Sequence, residues 1–260
     1  MIDGIRVFGQ WRYNTDGVDI VNSKNIVVRN SFIHSFDDTI TIKGIDRYAL
    51  VSNEDMLFEN NILWCDWGKT CEIGLETATP EIKNIIFRNS DVLRGGNTVC
   101  DIQNGDCAQV SNITFEDLRI ELEGSYTEQE LQTDEDAPYS KRDTLDVAHV
   151  LMISNKRFRT HDLYVDIGFN PIVTELTETD PRFASIRDIL VKNITVYADD
   201  AVIAARGKKC IRISIKRDHM TSDYRNITVD GITLNGERVL PEEMEYSGYG
   251  IDISEVLTVK

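Results

Sequence analysis

Asn25-Ile26-Val27-Val28-Arg29-Asn30 is the first copy of a six-residue template: Asn or Asp, an apolar residue, any residue, Val or Phe, any residue, then as a rule Asn or Asp again. It returns as Asp55-Met56-Leu57-Phe58-Glu59-Asn60, Asn84-Ile85-Ile86-Phe87-Arg88-Asn89, Asn112-Ile113-Thr114-Phe115-Glu116-Asp117, Asp188-Ile189-Leu190-Val191-Lys192-Asn193 and Asn226-Ile227-Thr228-Val229-Asp230-Gly231. The first four copies begin 30, 29 and 28 residues apart. A period of this length marks a repeat architecture in which each unit buries its apolar face against the next. A weaker copy, Asp162-Leu163-Tyr164-Val165-Asp166, divides the later gap and lies 26 residues before the copy at Asp188.

Inside each copy apolar and polar residues alternate, the period of a strand with one buried face. A second strand pattern follows, as in Thr39-Ile40-Thr41-Ile42-Lys43, Cys71-Glu72-Ile73-Gly74 and Val99-Cys100-Asp101-Ile102. No helical period stands between them, and parallel strands joined as βαβ units need a crossover of about a dozen residues or more, usually a helix. The pattern therefore predicts an all-β, single-stranded parallel β-helix, one domain over residues 1–260, with roughly eight coils by its period. The template asparagines would occupy one corner of successive coils, where Asn tolerates left-handed backbone and its amide can bond the coils above and below. That role also accounts for Asn112, Asn193 and Asn226, which double as N-x-T glycosylation sequons.

The rest of the composition narrows the function. With 28 Lys plus Arg against 44 Asp plus Glu, the net charge of -16 repels phosphate backbones and anionic lipid, so neither nucleic acid nor a membrane is an expected partner. No apolar run approaches the roughly 18 residues of a membrane span. The start, Met1-Ile2-Asp3-Gly4, is unlike a signal peptide, leaving cytoplasmic location or a fragment of a secreted protein both open. Cys65, Cys71, Cys100, Cys107 and Cys210 form an odd set without CxxC spacing and read as buried thiols. His34, His149, His161 and His219 share no spacing suited to a metal or a triad, and no metal or cofactor is expected. Glu121 to Asp136 holds seven acidic and no basic residues and reads as an inserted acidic loop at about 121–146.

The candidate chemistry lies beside the first template copy. Asn14-Thr15-Asp16-Gly17 precedes it and Phe36-Asp37-Asp38-Thr39 follows it, which places Asp16 21 and 22 residues before Asp37 and Asp38. That is close to one coil, and stacked strands lie about 4.8 Å apart. Carboxylates so clustered repel one another, raising at least one pKa toward that of a general acid, and such a set can hydrolyse a glycosidic bond. Asp199-Asp200 is equally paired but has no Asp one coil earlier, and serves as the contrast in which the pair is a turn.

Asn14-Thr15-Asp16-Gly17-Val18-Asp19-Ile20, Ser23-Lys24-Asn25-Ile26 and Asp37-Asp38-Thr39-Ile40-Thr41-Ile42-Lys43 together resemble the polygalacturonase family of glycoside hydrolases, family 28, clearly from Trp11 to about Ile120 and more loosely to about Leu240. The resemblance implies a right-handed parallel β-helix, a poly- or oligosaccharide substrate, and inverting hydrolysis with Asp37 as the acid and Asp16 and Asp38 as base candidates. It also implies that coils and a cap normally precede the catalytic coil, so the chain reads as N-terminally truncated. Spacing alone gives about 5 Å between carboxylates, nearer the retaining range, which leaves the stereochemistry open.

Two departures bear on the substrate. Gly68-Lys69-Thr70-Cys71-Glu72-Ile73-Gly74 puts Lys69 where the family has histidine, and Asp101-Ile102-Gln103 stands where it has the Arg-Ile-Lys that grips a galacturonate carboxylate. Lysine can hold a hydroxyl or lower a carboxylate pKa but cannot copy imidazole. Asn14, Lys69, Glu72, Gln103 and Trp67 are therefore the substrate-binding candidates, with Glu72 facing outward opposite Ile73. Trp11, Tyr13 and Trp64 are further aromatic platforms for a sugar face, and Lys43 reads as structural beside Gly44. A non-catalytic carbohydrate-binding or adhesion module stays open as the alternative. A lyase or epimerase would have Lys69 as its nearby base.

Overall fold

The computed structural model describes residues 1–45, 51–124, 130–131, 136, 138, 140–141, 147–155 and 179–260. The weaker template copy at 162–166, His161 and most of the acidic stretch 121–146 lie outside them. All six full template copies are strands: Lys24–Arg29, Asn53–Glu59, Glu81–Arg88, Gln109–Glu116, the first half of Ile186–Ala198, and Tyr224–Leu234. They stack parallel and in register, so that Ile26, Met56, Ile85, Ile113, Ile189 and Ile227 form one row and Val28, Phe58, Phe87, Phe115, Val191 and Val229 the next. The second row is fully buried, and its three phenylalanines stack with centroids 4.6 and 5.2 Å apart. Each such side chain removed from water contributes about 1.5–3 kcal/mol, and offset aromatic stacking adds to it.

The template's polar ends do the work expected of them. Asn25, Asp55, Asn84, Asn112, Asp188 and Asn226 all have φ between 54° and 59°. Their side chains form a ladder: Asn84 donates to Asp55 at 2.9 Å, Asn112 to Asn84 at 2.8 Å and Asn226 to Asp188 at 2.8 Å. The closing residues Asn30, Asn60, Asn89, Asp117 and Asn193 are also left-handed and form a second ladder, with Asn89 donating to Asn60 at 2.7 Å and Asn193 to Asp117 at 3.2 Å. The amides of Asn112, Asn193 and Asn226 are thus engaged by the repeat itself.

A second ladder of strands, Phe32–Ser35, Ile62–Cys65, Asp91–Gly95 and Arg119–Leu122, joins the first through the long strand Ile186–Ala198. The third sheet holds the chemistry. Its seven parallel strands among the described residues are Val18–Val21, Ile40–Gly44, Lys69–Thr77, Thr98–Asn104, His149–Ser154, Arg212–Lys216 and Glu245–Tyr249, against the roughly eight coils predicted. Ile20, Ile42, Ile73, Ile102, Ile153 and Ile215 line its inner face, and Asp19, Thr41, Glu72, Asp101, Met152, Ser214 and Ser247 occupy the register row between them. The chain is a right-handed parallel β-helix.

Two elements depart from pure repetition. Asp199 caps a helix, Asp200–Arg206, accepting from the Val202 amide at 2.8 Å and from the Gly124 amide at 2.7 Å. The contrast pair Asp199-Asp200 is therefore a capped helix start, and its seven residues are too short for a visible helical period. A small antiparallel pair, Glu130–Leu131 with Ser140–Lys141, stands within the acidic stretch. All five cysteines are buried free thiols. Among the described residues no helix is long and apolar enough to cross a membrane.

Candidate active site

The Asp37-Asp38 turn lies between neighbouring rungs that approach through glycine. A Cβ at Gly17 would come 2.4 Å from the Thr39 carbonyl oxygen, and one at Gly68 would come 2.5 Å from the Asp37 carbonyl carbon and 2.6 Å from the Asp38 nitrogen. Only the missing side chains let these rungs close. Gly17 N–H donates to the Asp38 carbonyl at 2.8 Å, and Thr39 N–H donates to the Lys69 carbonyl at 2.8 Å. Ser35 Oγ at 2.7 Å and Cys65 Sγ at 3.2 Å both donate to the Asp37 carbonyl.

The side chains of Asp16, Asp37 and Asp38 converge, with oxygens all within 4.8 Å of one another. Asp37 accepts the Asn14 amide at 2.7 Å. Asp38 accepts the Lys69 amide at 2.9 Å, with the Lys69 ammonium 3.5 Å away. Asp16 meets the Lys43 ammonium at 2.7 Å, and that ammonium also reaches Asp19 at 3.0 Å. Lys43 is thus part of the cluster rather than a structural neighbour of Gly44. The three aspartate oxygens could also hold a cation, in competition with the positive charge that Lys43 and Lys69 supply.

Crowding makes the three carboxyls unequal. Burial pushes Asp16 up to about 7, with Asp38 adding to the rise; Lys43 opposes it, and its single contact does not outweigh the desolvation. Burial and the Asp38 charge push Asp37 up to about 6. Asp38 is the exception: burial alone would raise it, but the Lys69 ammonium and the Lys69 amide, with Lys43 adding to them, hold it below the usual carboxylate range. The arrangement is one ionised carboxylate beside two that hold protons near neutrality, titrating as a set.

The remaining candidates divide by exposure. Glu72 lies on the row opposite Ile73, as alternation requires, but it is 0% exposed, so the expected outward substrate contact is corrected: its carboxyl faces the Lys69 ammonium, 3.3 Å away. Gln103 is half-buried, paired in register with Gly74 and Ser154. Trp67 is half-buried and stacks on Phe36 with centroids 6.0 Å apart, while Asn14 and Trp11 are exposed. Trp64 is not core: its indole N–H donates to Asp66 at 3.0 Å, and the Arg94 guanidinium lies 5.3 Å over its ring. His34, unassigned by spacing, meets the same Asp66 carboxylate at 2.8 Å. Sequence reasoning missed Lys43, Asp19 and the Asp66 cluster. Alternation gave a signal for Lys43, which shares the face of Thr41, and one-coil spacing gave one for His34, which pairs in register with Trp64.

Comparison with known proteins places this site within a family match. Residues 5–131 match the model described as Glycosyl hydrolases family 28. A probable endopolygalacturonase D of Neosartorya fischeri is 30% identical over 112 residues, 42% of this chain and 21% of that protein. An exopolygalacturonase X-1 of Emericella nidulans is 30% identical over 144 residues, 46% of this chain and 31% of that protein. A probable rhamnogalacturonase A of Aspergillus oryzae is 28% identical over 103 residues, 40% of this chain and 20% of that protein. The matched region thus spans between a fifth and a third of the length of these relatives. No solved structure matches the chain. Residues 5–131, the part of the chain similar to the glycosyl hydrolases of family 28, carry Asp16, Asp37 and Asp38, so the candidate site lies wholly within the matched region.

Proposed function

We propose that this chain hydrolyses O-glycosidic bonds of a neutral poly- or oligosaccharide, with Asp37 donating a proton to the leaving oxygen, Asp38 activating water with inversion, and Asp16 completing the carboxyl cluster beside them. The observation that carries the reading is the convergence of three carboxyls whose oxygens lie within 4.8 Å, in the region that matches the family. A general acid must hold a proton near working pH and a base must lack one. Asp37, pushed up to about 6, and Asp38, held low, meet those two demands in adjacent residues. Asn14, Lys69, Gln103 and Trp67 are the proposed substrate contacts around them. Inversion rests on the family resemblance, since the carboxyl spacing alone lies nearer the retaining range; NMR of the first-formed anomer decides it.

The relatives are named for polygalacturonate and rhamnogalacturonan cleavage, and the charge around the trio argues against an unmodified polygalacturonate here. Lys43 is engaged by Asp16 and Asp19, and Lys69 by Asp38 and Glu72, with Asp101 on the adjacent strand. A uronate would meet repulsion on the order of 1 kcal/mol or more per close pair, which a neutral sugar escapes. The test is a panel of neutral galactosides, rhamnosides, xylosides and glucans beside polygalacturonate, assayed for reducing ends. Release from a neutral member and little from polygalacturonate is expected. Efficient cleavage of polygalacturonate overturns the substrate class, and glycan retention without product anywhere on the panel favours a binding module.

A further inference from the structure

We propose that Glu72 is a positioning residue for this hydrolysis: set against Lys69, it fixes the ammonium beside Asp38 and so prepares Asp38 to take a proton from water. The inference rests on the reading of Asp16, Asp37 and Asp38 as the hydrolytic set, and adds a residue that the reaction does not itself touch.

The register row of the third sheet carries the argument. It reads Asp19, Thr41, Glu72, Asp101, Met152, Ser214 and Ser247 on successive strands. Hydroxyl or apolar side chains serve at four of these rungs, and Asp19, at the first, is exposed. The carboxyls on the Lys69 strand and the one next to it are both 0% exposed. A buried acid is costly unless something compensates it. Neither Glu72 nor Asp101 has a hydrogen-bond partner for either oxygen among the described residues, so the compensation each receives is electrostatic. Glu72 lies 3.3 Å from the Lys69 ammonium, which is in turn 3.5 Å from Asp38.

Lys69 faces Asp37, Asp38, Glu72 and Asp101; Asp38 faces Asp16, Asp37, Lys43, Lys69 and Glu72; Asp101 faces Lys69, Asp38 and Lys216. Loosening the Lys69 ammonium from its place 3.5 Å from Asp38 favours protonated Asp38. The acidic limb of kcat/KM must therefore move to higher pH.

The experiment measures kcat/KM against pH on the best neutral substrate of the panel, for the full chain and for Glu72→Leu and Glu72→Gln. Glu72→Leu is expected to move the acidic limb upward by about one unit, a tenfold loss below it, carried by kcat more than KM. Glu72→Gln, whose amide oxygen can still accept from the Lys69 ammonium, returns the limb toward its original place, which a merely structural residue would not do. Where Glu72→Leu fails to fold, Glu72→Met, closer to glutamate in shape, must move the same limb the same way. A limb that stays put in a folded Leu or Met variant overturns the inference. If Asp37→Asn is itself fully active, the hydrolytic reading has failed instead, so the two failures are distinguishable.

Discussion

Replacing Asp37 by Asn should stabilise the protein at alkaline pH. In the folded chain Asp37 is pushed from 3.8 up to about 6, chiefly by burial and then by Asp38. In the unfolded chain it returns to about 3.9. Below both values the carboxyl is protonated in either state, so the substitution changes little near pH 3.5. Above both it is ionised in either state, and the fold must keep a charge where burial disfavours one. Wild-type stability from this group is therefore present at low pH and lost as pH rises through about 6, whereas the neutral amide has nothing to lose. The shift is about 2 units, a ceiling of about 3 kcal/mol, reduced because Asp16 and Asp38 relax when their neighbour is neutral. An advantage of about 1–3 kcal/mol is expected at pH 8, provided the Asn oxygen keeps the bond from the Asn14 amide. Urea unfolding of both proteins at pH 4 and pH 8 reads this directly. A variant that is less stable than wild type by the same amount at both pH values would refute the reasoning, because Asp37 would then contribute through packing and not charge.

Other consequences follow from the repeat and its core. Asn84→Gly keeps the left-handed corner but loses the ladder bonds to Asp55 and Asn112, whereas Asn84→Ala loses both; Ala should be the worse by about 1–2 kcal/mol in urea melts, and equal losses would mean that backbone hand is not what the template selects. Phe87→Ala removes the middle ring of the Phe58–Phe87–Phe115 stack and should cost about 3–5 kcal/mol, with Phe87→Leu costing less than half as much; a loss under about 1 kcal/mol for Ala would contradict the packing. Gly68→Ala puts a methyl group against the Asp37–Asp38 backbone, and it should cost about 1–3 kcal/mol and at least tenfold in rate, read by melting and product release on one sample.

Much of this was legible in the sequence for a physical reason. The template couples a left-handed Asn or Asp to an alternating strand, so one short pattern fixes the corner, the register row and the buried face at once, as Asn84, Ile85 and Phe87 illustrate. The aspartate trio was legible because coil spacing converts a separation of 21 or 22 residues into adjacency. Glu72 shows where that logic stops. Alternation finds the face of a sheet that a residue occupies but says nothing of what covers the face, so a residue expected at the surface proved to be fully buried beside a lysine. The helix at Asp200–Arg206 was hidden by brevity, since two turns carry no periodic signal; its marker was the Asp199 cap, read only as a paired acid. The Asp66 cluster was hidden because its members, His34, Trp64 and Arg94, become neighbours only when three coils are stacked.

The central claim is that Asp37 works with Asp16 and Asp38 to break a glycosidic bond. Its most direct test is kcat/KM of wild type and Asp37→Asn on the best neutral glycan of the panel, at the wild-type pH optimum, with circular dichroism of both proteins to establish equal folding. Loss of a general acid costs about 10²–10⁴-fold. The account predicts a fall of at least about 10² in a variant that is folded and still retains the glycan; an equally folded Asp37→Asn chain that releases product at the wild-type rate would contradict it.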